Sequence, residues 1–318
     1  MKKLLITGGL GFLGSYLIEK HKNEYDITVV DNLSTNVIDP TDKLCDNVKV
    51  VINDVLKYKW EDPFDMIVHF ASPVGPAGIL KHAGKMGGYI VDDTYWAIEG
   101  ALKFNCPLIY VSTSEIYGYR PTPELLKEED YKLLVGEFKV RNEYSIAKLL
   151  GEIIISNTAK TSDLKCQIIR PFNISGARQL PTGGFVLPTF INQALKNEPI
   201  TVFGDGTQIR AFTNVRDIIS GIYLTMTTEK YMNHIWNVGE PKNATTILSL
   251  AEKVKEITKS KSEIIFVDPK TIHGPLYEEA WDKIPDSTKI QNLLGWESKW
   301  DKEQTIIDAI DFWKNGII

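Results

Sequence analysis

A tyrosine and a lysine four residues apart, Tyr144 and Lys148, are the clearest candidates for chemistry in this sequence. In a helix this spacing places both side chains on one face, one turn apart. An ammonium group beside a phenol favours the phenolate, so the pair predicts a lowered tyrosine pKa and a general base. The hydroxyl run Ser112-Thr113-Ser114 ends the preceding predicted strand and could bind the oxygen atom that Tyr144 deprotonates. Because this spacing is common by chance, its meaning depends on the elements around it.

A glycine-rich turn, residues 7–14, lies between a short apolar strand and a predicted helix. Glycines at positions 8, 11 and 14 allow a sharp turn, close approach to a pyrophosphate and tight packing of the helix on the strand. The helix N-terminus offers N–H groups and the positive end of the helix dipole to phosphates. Such a turn can be purely structural, but here strand, glycines, helix and a following acid occur in order.

The acid is Asp31, at the end of a second apolar strand. A carboxylate there accepts hydrogen bonds from the adenosine ribose hydroxyls and repels a 2′-phosphate, which predicts NAD rather than NADP. The turn and the Tyr144–Lys148 pair together predict hydride transfer from a secondary alcohol to NAD. Besides Tyr144 and Lys148, the predicted cofactor contacts are Gly8, Gly11, Phe12, Leu13, Asp31, Asn32, Asp54, Val55, Phe70, Ala71 and Ser72.

Polar and glycine-rich residues follow the third and fourth predicted strands. Asp54 is placed to bond the adenine amino group, and it can also cap a helix, which is compatible with that role. His69, inside the fourth strand, is expected to be structural rather than catalytic. The glycine-rich stretch 72–88 follows at the edge where open α/β sheets bind ligands. We expect a loop there, either a mobile flap over the cofactor or only a flexible connection.

Alternating apolar strands and helices predict an α/β fold, namely a Rossmann-type, doubly wound parallel sheet with a smaller, interleaved C-terminal lobe. The near-continuous apolar runs suit parallel strands that are covered on both faces. Residues 1–170, joined by 211–240, are expected to form the NAD-binding domain, and residues 171–210 with 241–318 the smaller lobe, which would bind the substrate. Strands of the main sheet are predicted at 4–6, 27–30, 48–52, 65–70, 108–111, 165–169 and 235–238.

The composition excludes several classes of function. The net charge is −5 with acids and bases interspersed, so no nucleic-acid surface is expected. No apolar run approaches membrane-spanning length, and the first strand begins almost at Met1, which predicts a cytoplasmic protein without a signal peptide. The cysteines Cys45, Cys106 and Cys166 lack metal-binding spacing, so we expect buried free thiols and no metal site.

In combination, these motifs resemble the nucleotide-sugar epimerase/dehydratase family of extended short-chain dehydrogenases/reductases, over essentially the full length. The matching segments are TGGLGFLG at 7–14, Asp31, STSEIYG at 112–118, Tyr144 and Lys148, RPFNISG at 170–176, VFGDGTQIRAFTNVRD at 202–217, WNVGE at 236–240 and LLGW at 293–296. The resemblance implies an NAD-dependent enzyme that oxidises a nucleotide sugar at C4 to a 4-keto species. The catalytic residues that it implies are Thr113, Glu115, Tyr144 and Lys148.

The resemblance also implies a set of substrate contacts. Asn173 would bind the substrate diphosphate, and Leu187 with Pro188 would wall the nucleotide base. Arg178 and Arg210 would reach the phosphates, although either could instead form a surface ion pair. The remaining implied contacts are Ser114 and Lys283.

The choice of reaction depends on residues near the sugar C6. The motif STSE, followed by a bulky apolar residue, Tyr and Gly, is similar to UDP-glucuronate decarboxylases and to 4,6-dehydratases. Leu134-Val135-Gly136 and Arg141 also look like the decarboxylase branch. Where that branch carries an arginine, this chain has Lys283, which cannot grip a carboxylate in a bidentate manner.

The sequence therefore favours a neutral C6 substrate and a sugar-nucleotide 4,6-dehydratase or epimerase, with Glu115 able to take the C5 proton in a dehydratase. The alternatives are a UDP-glucuronate decarboxylase, a net C4 dehydrogenase and a catalytically silent NAD-binding sensor.

A homodimer is also expected. The predicted helices 92–104 and 143–159 carry apolar residues on more than one face, which is more than one contact with the sheet requires. Relatives pair these helices across a two-fold axis as a four-helix bundle.

Overall fold

A seven-stranded parallel sheet forms the centre of the computed structural model, which describes residues 1–120, 122–132, 138–280 and 282–315. The strands are β1 (Lys2–Thr7), β2 (Tyr25–Asp31), β3 (Lys49–Ile52), β4 (Met66–His69), β5 (Leu108–Val111), β6 (Leu125–Leu126), β7 (Cys166–Pro171), β8 (Ile174–Ser175), β9 (Ile200–Phe203), β10 (Ile209–Ala211), β11 (Thr213–Asn214), β12 (His234–Val238), β13 (Ala244–Thr246), β14 (Ile264–Val267) and β15 (Ile284–Pro285). The main sheet has the order β3-β2-β1-β4-β5-β7-β12, which is doubly wound outwards from β1. All seven strands predicted for it are confirmed.

The described residues contain ten α-helices, some of which cover both faces of this sheet. They are α1 (Phe12–His21), α2 (Gly75–Lys81), α3 (Met86–Phe104), α4 (Val140–Thr161), α5 (Val186–Lys196), α6 (Val215–Thr227), α7 (Ile247–Thr258), α8 (Pro269–His273), α9 (Thr288–Leu294) and α10 (Lys302–Lys314). Among the described residues, no helix is both long enough and apolar enough to cross a membrane.

The alternating side chains of the strands build two separate cores. Leu4 and Ile6 of β1 pack in a cluster with residues of α1 and α6, whereas Leu5 packs on the opposite face with residues of α3 and α4. Every residue of β4 and β5 is buried, because both faces of these central strands are covered. The continuous apolar runs of the sequence therefore correspond to the middle of the sheet.

A smaller lobe has its own apolar core, formed by α5, α7 and α10 and by strands β9 and β14, which pair in parallel. Further short pairs connect distant parts of the chain: β8 with β11, β10 with β13, and β6 with β15. The strand β15 follows Lys283 directly, so its pairing with β6 brings this late segment back towards the carboxyl end of β5.

The glycine-rich stretch 72–88 is not the loop that the sequence predicts. It forms helix α2, a turn and the beginning of α3. Pro76 lies in the first turn of α2, where its fixed φ and missing N–H are tolerated. Helix α3 begins six residues earlier than expected, because a contact from α4 caps its first turn, as described below.

Candidate active site

The glycine-rich turn joins β1 to α1 with very little space between them. Gly8 has φ of +64°, and a Cβ there would lie 2.9 Å from the backbone nitrogen of Ala71. A Cβ on Gly14 would lie 2.4 Å from the Cα of Gly9. Helix α1 begins after Gly11, which has no side chain with which to cap the first N–H groups. These groups are thus available to an anionic ligand.

Asp31 at the end of β2 is tied to this turn. Its Oδ2 accepts a hydrogen bond from the Leu10 amide at 3.0 Å, and its Oδ1 accepts one from the Leu33 amide at 2.8 Å. Burial raises the pKa of this carboxyl, and the two amides partly oppose the shift. Each oxygen can accept further bonds, so the group can still receive ribose hydroxyls. The neighbouring Asn32 is exposed.

The ends of β3 and β4 complete the cofactor side of the site. Asp54 caps the short 3₁₀ turn Val55–Lys57 by accepting a bond from the Leu56 amide at 3.0 Å. His69 is buried, and its Nδ1 lies 2.9 Å from the Thr7 hydroxyl. Burial lowers the pKa of His69 to about 3, so its ring is neutral and structural. Phe70, Ala71 and Ser72 follow at the strand end beside Gly8, as the cofactor prediction requires.

These features fit a bound NAD molecule. The N-terminus of α1 can receive the pyrophosphate, and the carboxylate of Asp31 lies at the adjacent strand end. The Oγ of Ser112, at the end of β5, is buried and has no hydrogen-bond partner within the part of the chain that the structure describes. Buried polar atoms are normally satisfied, so this one indicates a ligand or water at the strand ends.

Tyr144 and Lys148 both lie on α4 and are buried. The Thr113 hydroxyl lies near the Tyr144 phenol and lowers the pKa of that phenol. It also accepts a hydrogen bond from the Glu115 amide at 3.2 Å. The Nζ of Lys148 donates to the Val111 carbonyl at 3.0 Å and lies 4.9 Å from the centre of the Tyr110 ring. Burial lowers the pKa of Lys148 to about 8.

The predicted low pKa of Tyr144 is wrong for this structure. Burial raises the pKa of the phenol, and Thr113 opposes the shift only in part. Lys148 points to a backbone carbonyl rather than to the phenol. The sequence argument treated the two residues as an isolated pair and omitted the cost of an ionised phenol in an apolar enclosure.

Glu115 lies between two cations. Its Oε2 is 3.0 Å from Nη1 of Arg141, and its Oε1 is in close contact with Nζ of Lys283. Burial alone would raise the pKa of Glu115, but Lys283 and Arg141 outweigh it and hold the pKa well below its usual range. The carboxylate is therefore a weak proton acceptor, which argues against the expected abstraction of a C5 proton by Glu115.

Lys283 is one of these two cations. Burial and the neighbouring guanidinium groups of Arg210 and Arg141 lower its pKa to about 8, and Glu115 opposes the shift. The ammonium form thus dominates at neutral pH. Arg141 also donates from Nε and Nη2 to the Glu278 carbonyl, at 3.2 and 3.0 Å.

The predicted substrate contacts fall into two groups. Ser114 is buried next to Thr113, and Leu187 and Pro188 are buried in the first turn of α5. Asn173 has φ of +30°, and its Nδ2 is buried without a hydrogen-bond partner among the described residues. Both features are ones that a ligand bound to Asn173 would explain, so the predicted contact of Asn173 stays a prediction.

The two predicted arginine contacts are both paired within the protein. Arg178 lies 2.7 Å from Glu19 and over the Tyr16 ring, both on α1. Arg210 lies 3.0 Å from Glu279 and 3.6 Å from Asp282. In the structure both Arg178 and Arg210 therefore form ion pairs with acids of the protein, as the sequence analysis allowed.

Two features of the site were not anticipated. The first is the contact of Arg141 with Glu115, because the sequence analysis used Arg141 only as a sign of the decarboxylase branch. Asp93 of α3 is the second: burial and Asp54 raise its pKa to about 7, while Lys148 opposes the shift. Nothing in the sequence indicated that Asp93 would be buried, because α3 carries apolar residues on more than one face. Leu134-Val135-Gly136 lies outside the described residues.

The chain is similar to known proteins over most of its length. The profile of the NAD dependent epimerase/dehydratase family matches residues 4–239. The chain is 30% identical over 320 residues to UDP-N-acetyl-α-D-glucosaminuronate decarboxylase from Bacillus cytotoxicus, covering 98% of both chains. It is 31% identical to UDP-glucuronic acid decarboxylase 1 from Danio rerio, over 99% of this chain and 73% of the relative.

Among solved structures, UDP-glucose 4-epimerase from Thermotoga maritima with UDP-glucose aligns with a TM-score of 0.85 at 25% identity. This alignment covers 99% of this chain and 100% of the epimerase. The comparisons confirm the sequence-based prediction of an enzyme with NAD as its cofactor. The chain therefore belongs to the NAD-dependent epimerase/dehydratase family.

Proposed function

We propose that this enzyme oxidises a nucleotide-linked uronic acid at C4 and then releases its C6 carboxylate as carbon dioxide. The observation that carries this proposal is the pair of cations, Arg141 and Lys283, on the single carboxylate of Glu115. All three side chains are buried, and so is the neighbouring Arg210, whose acids Glu279 and Asp282 are partly exposed. Among the described residues, Glu115 is therefore the one fully buried acid beside three buried cations, and the buried part of this cluster is rich in positive charge. A substrate carboxylate at C6 would balance this charge, whereas a neutral hydroxymethyl group would not.

Arg141 changes the preference that the sequence alone suggested. A neutral C6 was favoured because Lys283 replaces an arginine and lacks a bidentate grip. In the structure Arg141 adds a second cation beside Lys283, with Nη1 on Glu115 and with Nε and Nη2 on the Glu278 carbonyl. A C6 carboxylate would thus meet two positive charges without needing a bidentate grip from Lys283. We therefore prefer the decarboxylase alternative to the 4,6-dehydratase or epimerase.

The electrostatics of Glu115 support the same choice. Dehydration across C5 and C6 requires a base at C5 and an acid at the C6 hydroxyl. Glu115 suits neither role, because Lys283 and Arg141 keep it ionised and hold its pKa well below its usual range. Loss of carbon dioxide from a 4-keto uronate needs no base at C5, since the electron pair of the C5–C6 bond passes into the C4 carbonyl as an enolate.

The roles of the other residues follow from their contacts. When bound, NAD supplies the acceptor for the C4 hydride and later returns it. Tyr144 accepts the proton of the C4 hydroxyl, and Thr113, which lies near the phenol, holds the same substrate oxygen. For Tyr144 to accept this proton its raised pKa has to fall, which the positive charge of the nicotinamide ring would bring about when NAD is bound. After carbon dioxide leaves, a proton from water is added at C5, and Tyr144 returns its proton to the C4 oxygen.

The named relatives support this substrate class, because two of them are called decarboxylases of UDP-linked uronic acids. We assign the nucleotide diphosphate to the lobe of residues 171–210 and 241–318, and the cofactor to residues 1–170 with 211–240. Asn173 would hold the diphosphate, with Leu187 and Pro188 against the base. Arg178, whose buried Nη1 has no partner among the described residues, and Arg210 would reach the phosphates in exchange for part of their present ion pairs.

We also propose that the enzyme acts as a homodimer. Large apolar side chains on α3 and α4 are exposed, although these two helices pack against each other and against the sheet. They are Tyr89, Tyr95, Leu102, Ile146, Leu150 and Ile153. A second copy of the same helix pair would cover them.

The experiment is a substrate panel with product masses. Purified enzyme is incubated with UDP-glucuronate, UDP-N-acetylglucosaminuronate and UDP-glucose, and Tyr144→Phe serves as the inactive control. We expect carbon dioxide and the corresponding pentose nucleotide from at least one uronate. A dehydrated product from UDP-glucose, with no carbon dioxide from either uronate, would overturn the proposal.

A further inference from the structure

Glu143, the residue before Tyr144, reaches from α4 to the beginning of α3. Its Oε2 accepts a hydrogen bond from the Gly84 amide at 2.6 Å, and its Oε1 accepts one from the Gly87 amide at 2.9 Å. Gly87 lies in the first turn of α3, where amides lack partners within the helix. A carboxylate from a neighbouring helix therefore does here what an N-cap residue usually does, and its charge suits the helix dipole.

The segment held by Glu143 consists of α2, the turn after it and the first turn of α3. We call these residues, 75–90, the cover. Three apolar side chains of the cover, Ile79, Met86 and Ile90, form a buried cluster with Tyr144 and Ala147 of α4. The cover thus forms one wall around the ring of the proposed catalytic base.

The other end of the cover is attached to the lobe. A Cβ on Gly75 would lie 2.8 Å from the Gly183 carbonyl oxygen, which shows how closely the beginning of α2 approaches this turn. Between its two ends, α2 lines a small cavity of about 10 Å³ together with Arg141 and Tyr277. Tyr144 and Arg141 are only 6% and 8% exposed. Both the proton acceptor and the guanidinium therefore lie beneath the cover.

We propose that Glu143 is a positioning residue that fastens the cover over Tyr144 and Arg141. Both carboxylate oxygens are used, one for each amide, so the fastening depends on the full carboxylate. A glutamine would keep one acceptor oxygen and half of the fastening, and an alanine would keep none. The effect on turnover rests on the proposed function, whereas the fastening itself does not.

The first part of the test measures the fastening without a substrate. Hydrogen–deuterium exchange is compared between the unaltered enzyme, Glu143→Ala and Asp301→Ala. Asp301 is the matched control because it caps α10 by the same chemistry, accepting from the Gln304 amide at 2.8 Å. We expect exchange in residues 84–90 to rise roughly tenfold in Glu143→Ala only. Unchanged protection of residues 84–90 would overturn the proposal.

The second part measures C4 oxidation as NADH absorbance in single turnovers with UDP-glucuronate. We expect the rate constant to fall roughly tenfold in Glu143→Ala, by less in Glu143→Gln, and not in Asp301→Ala, while KM changes little. A rate loss equal in Glu143→Ala and Asp301→Ala would indicate a structural role only and would refute positioning. An unaltered enzyme that is inactive on uronates would contradict the proposed function, and the exchange measurement would still decide the fastening.

Discussion

Replacement of Lys283 tests the charge balance on which the proposed reaction depends. Lys283 is buried beside Glu115, and Arg141 is the second cation of that carboxylate. Lys283→Met keeps an unbranched side chain of similar length and removes the ammonium. A hydrogen bond to a charged group contributes about 1.5–3 kcal/mol, and about 1.4 kcal/mol is tenfold in affinity. The Kd for UDP-glucuronate should therefore rise roughly tenfold to 150-fold, while that for UDP-glucose changes little.

The pH dependence follows from the lowered pKa of Lys283, about 8. The charged form is present below this value and is lost above it, so the preference for the uronate over UDP-glucose should fall as pH rises through 8. Lys148 also has a pKa of about 8, but it lies near C4 in the proposal and acts on both sugars alike. The ratio of the two affinities therefore isolates Lys283. Lys283→Arg should keep the preference at higher pH, because guanidinium stays protonated.

The assay is calorimetric titration of both sugar nucleotides in a Tyr144→Phe background, which prevents turnover. Equal losses of affinity for the charged and the neutral sugar in Lys283→Met would refute the reasoning. The reasoning would also be refuted if the ratio of the two affinities had the same pH dependence in the unaltered enzyme and in Lys283→Arg.

Three further outcomes are expected. Asp31→Ala should relax the preference for NAD over NADP roughly tenfold or more, measured by the affinities of both cofactors, and equal binding of the two by the unaltered enzyme would contradict the role of Asp31. Tyr144→Phe should lower C4 oxidation roughly a hundredfold or more with NAD affinity and circular dichroism unchanged, and near-normal turnover would place the base elsewhere. Ile153→Glu, at an exposed site on α4, should convert a dimer to a folded monomer by light scattering, and an unaltered enzyme that is already monomeric would exclude the dimer.

Local patterns in the sequence were sufficient to predict the main sheet. Each of its strands is a short apolar run followed by a polar or glycine-rich end, as in β4 and β5, and burial on both faces needs no information from distant residues. The glycine-rich turn before α1 was predictable for the same reason, because strand, turn and helix are contiguous.

Other features depend on contacts that sequence order does not reveal. Glu115 and Lys283 are 168 positions apart, so their mutual effect on pKa could not be read from either motif. The first turn of α3 is capped by Glu143, which lies 56 positions after Gly87. Glycines in that stretch suggested a loop, since the capping group comes from another helix.

The pairing of β12 with β7 and of β15 with β6 has a consequence for biosynthesis. Chains emerge from the ribosome N-terminus first, and long-range pairings form late because their loop-closure entropy must be overcome. The cofactor turn and its neighbouring strands are complete within the first third of the chain, whereas the main sheet waits for residues 234–238. Glu115 meets its second cation only when residue 283 has been made. A nascent chain therefore contains the glycine-rich turn and Asp31 long before Tyr144, Lys148 and Lys283 are made, so the pyrophosphate end of the cofactor site is synthesised first and the charged sugar site last.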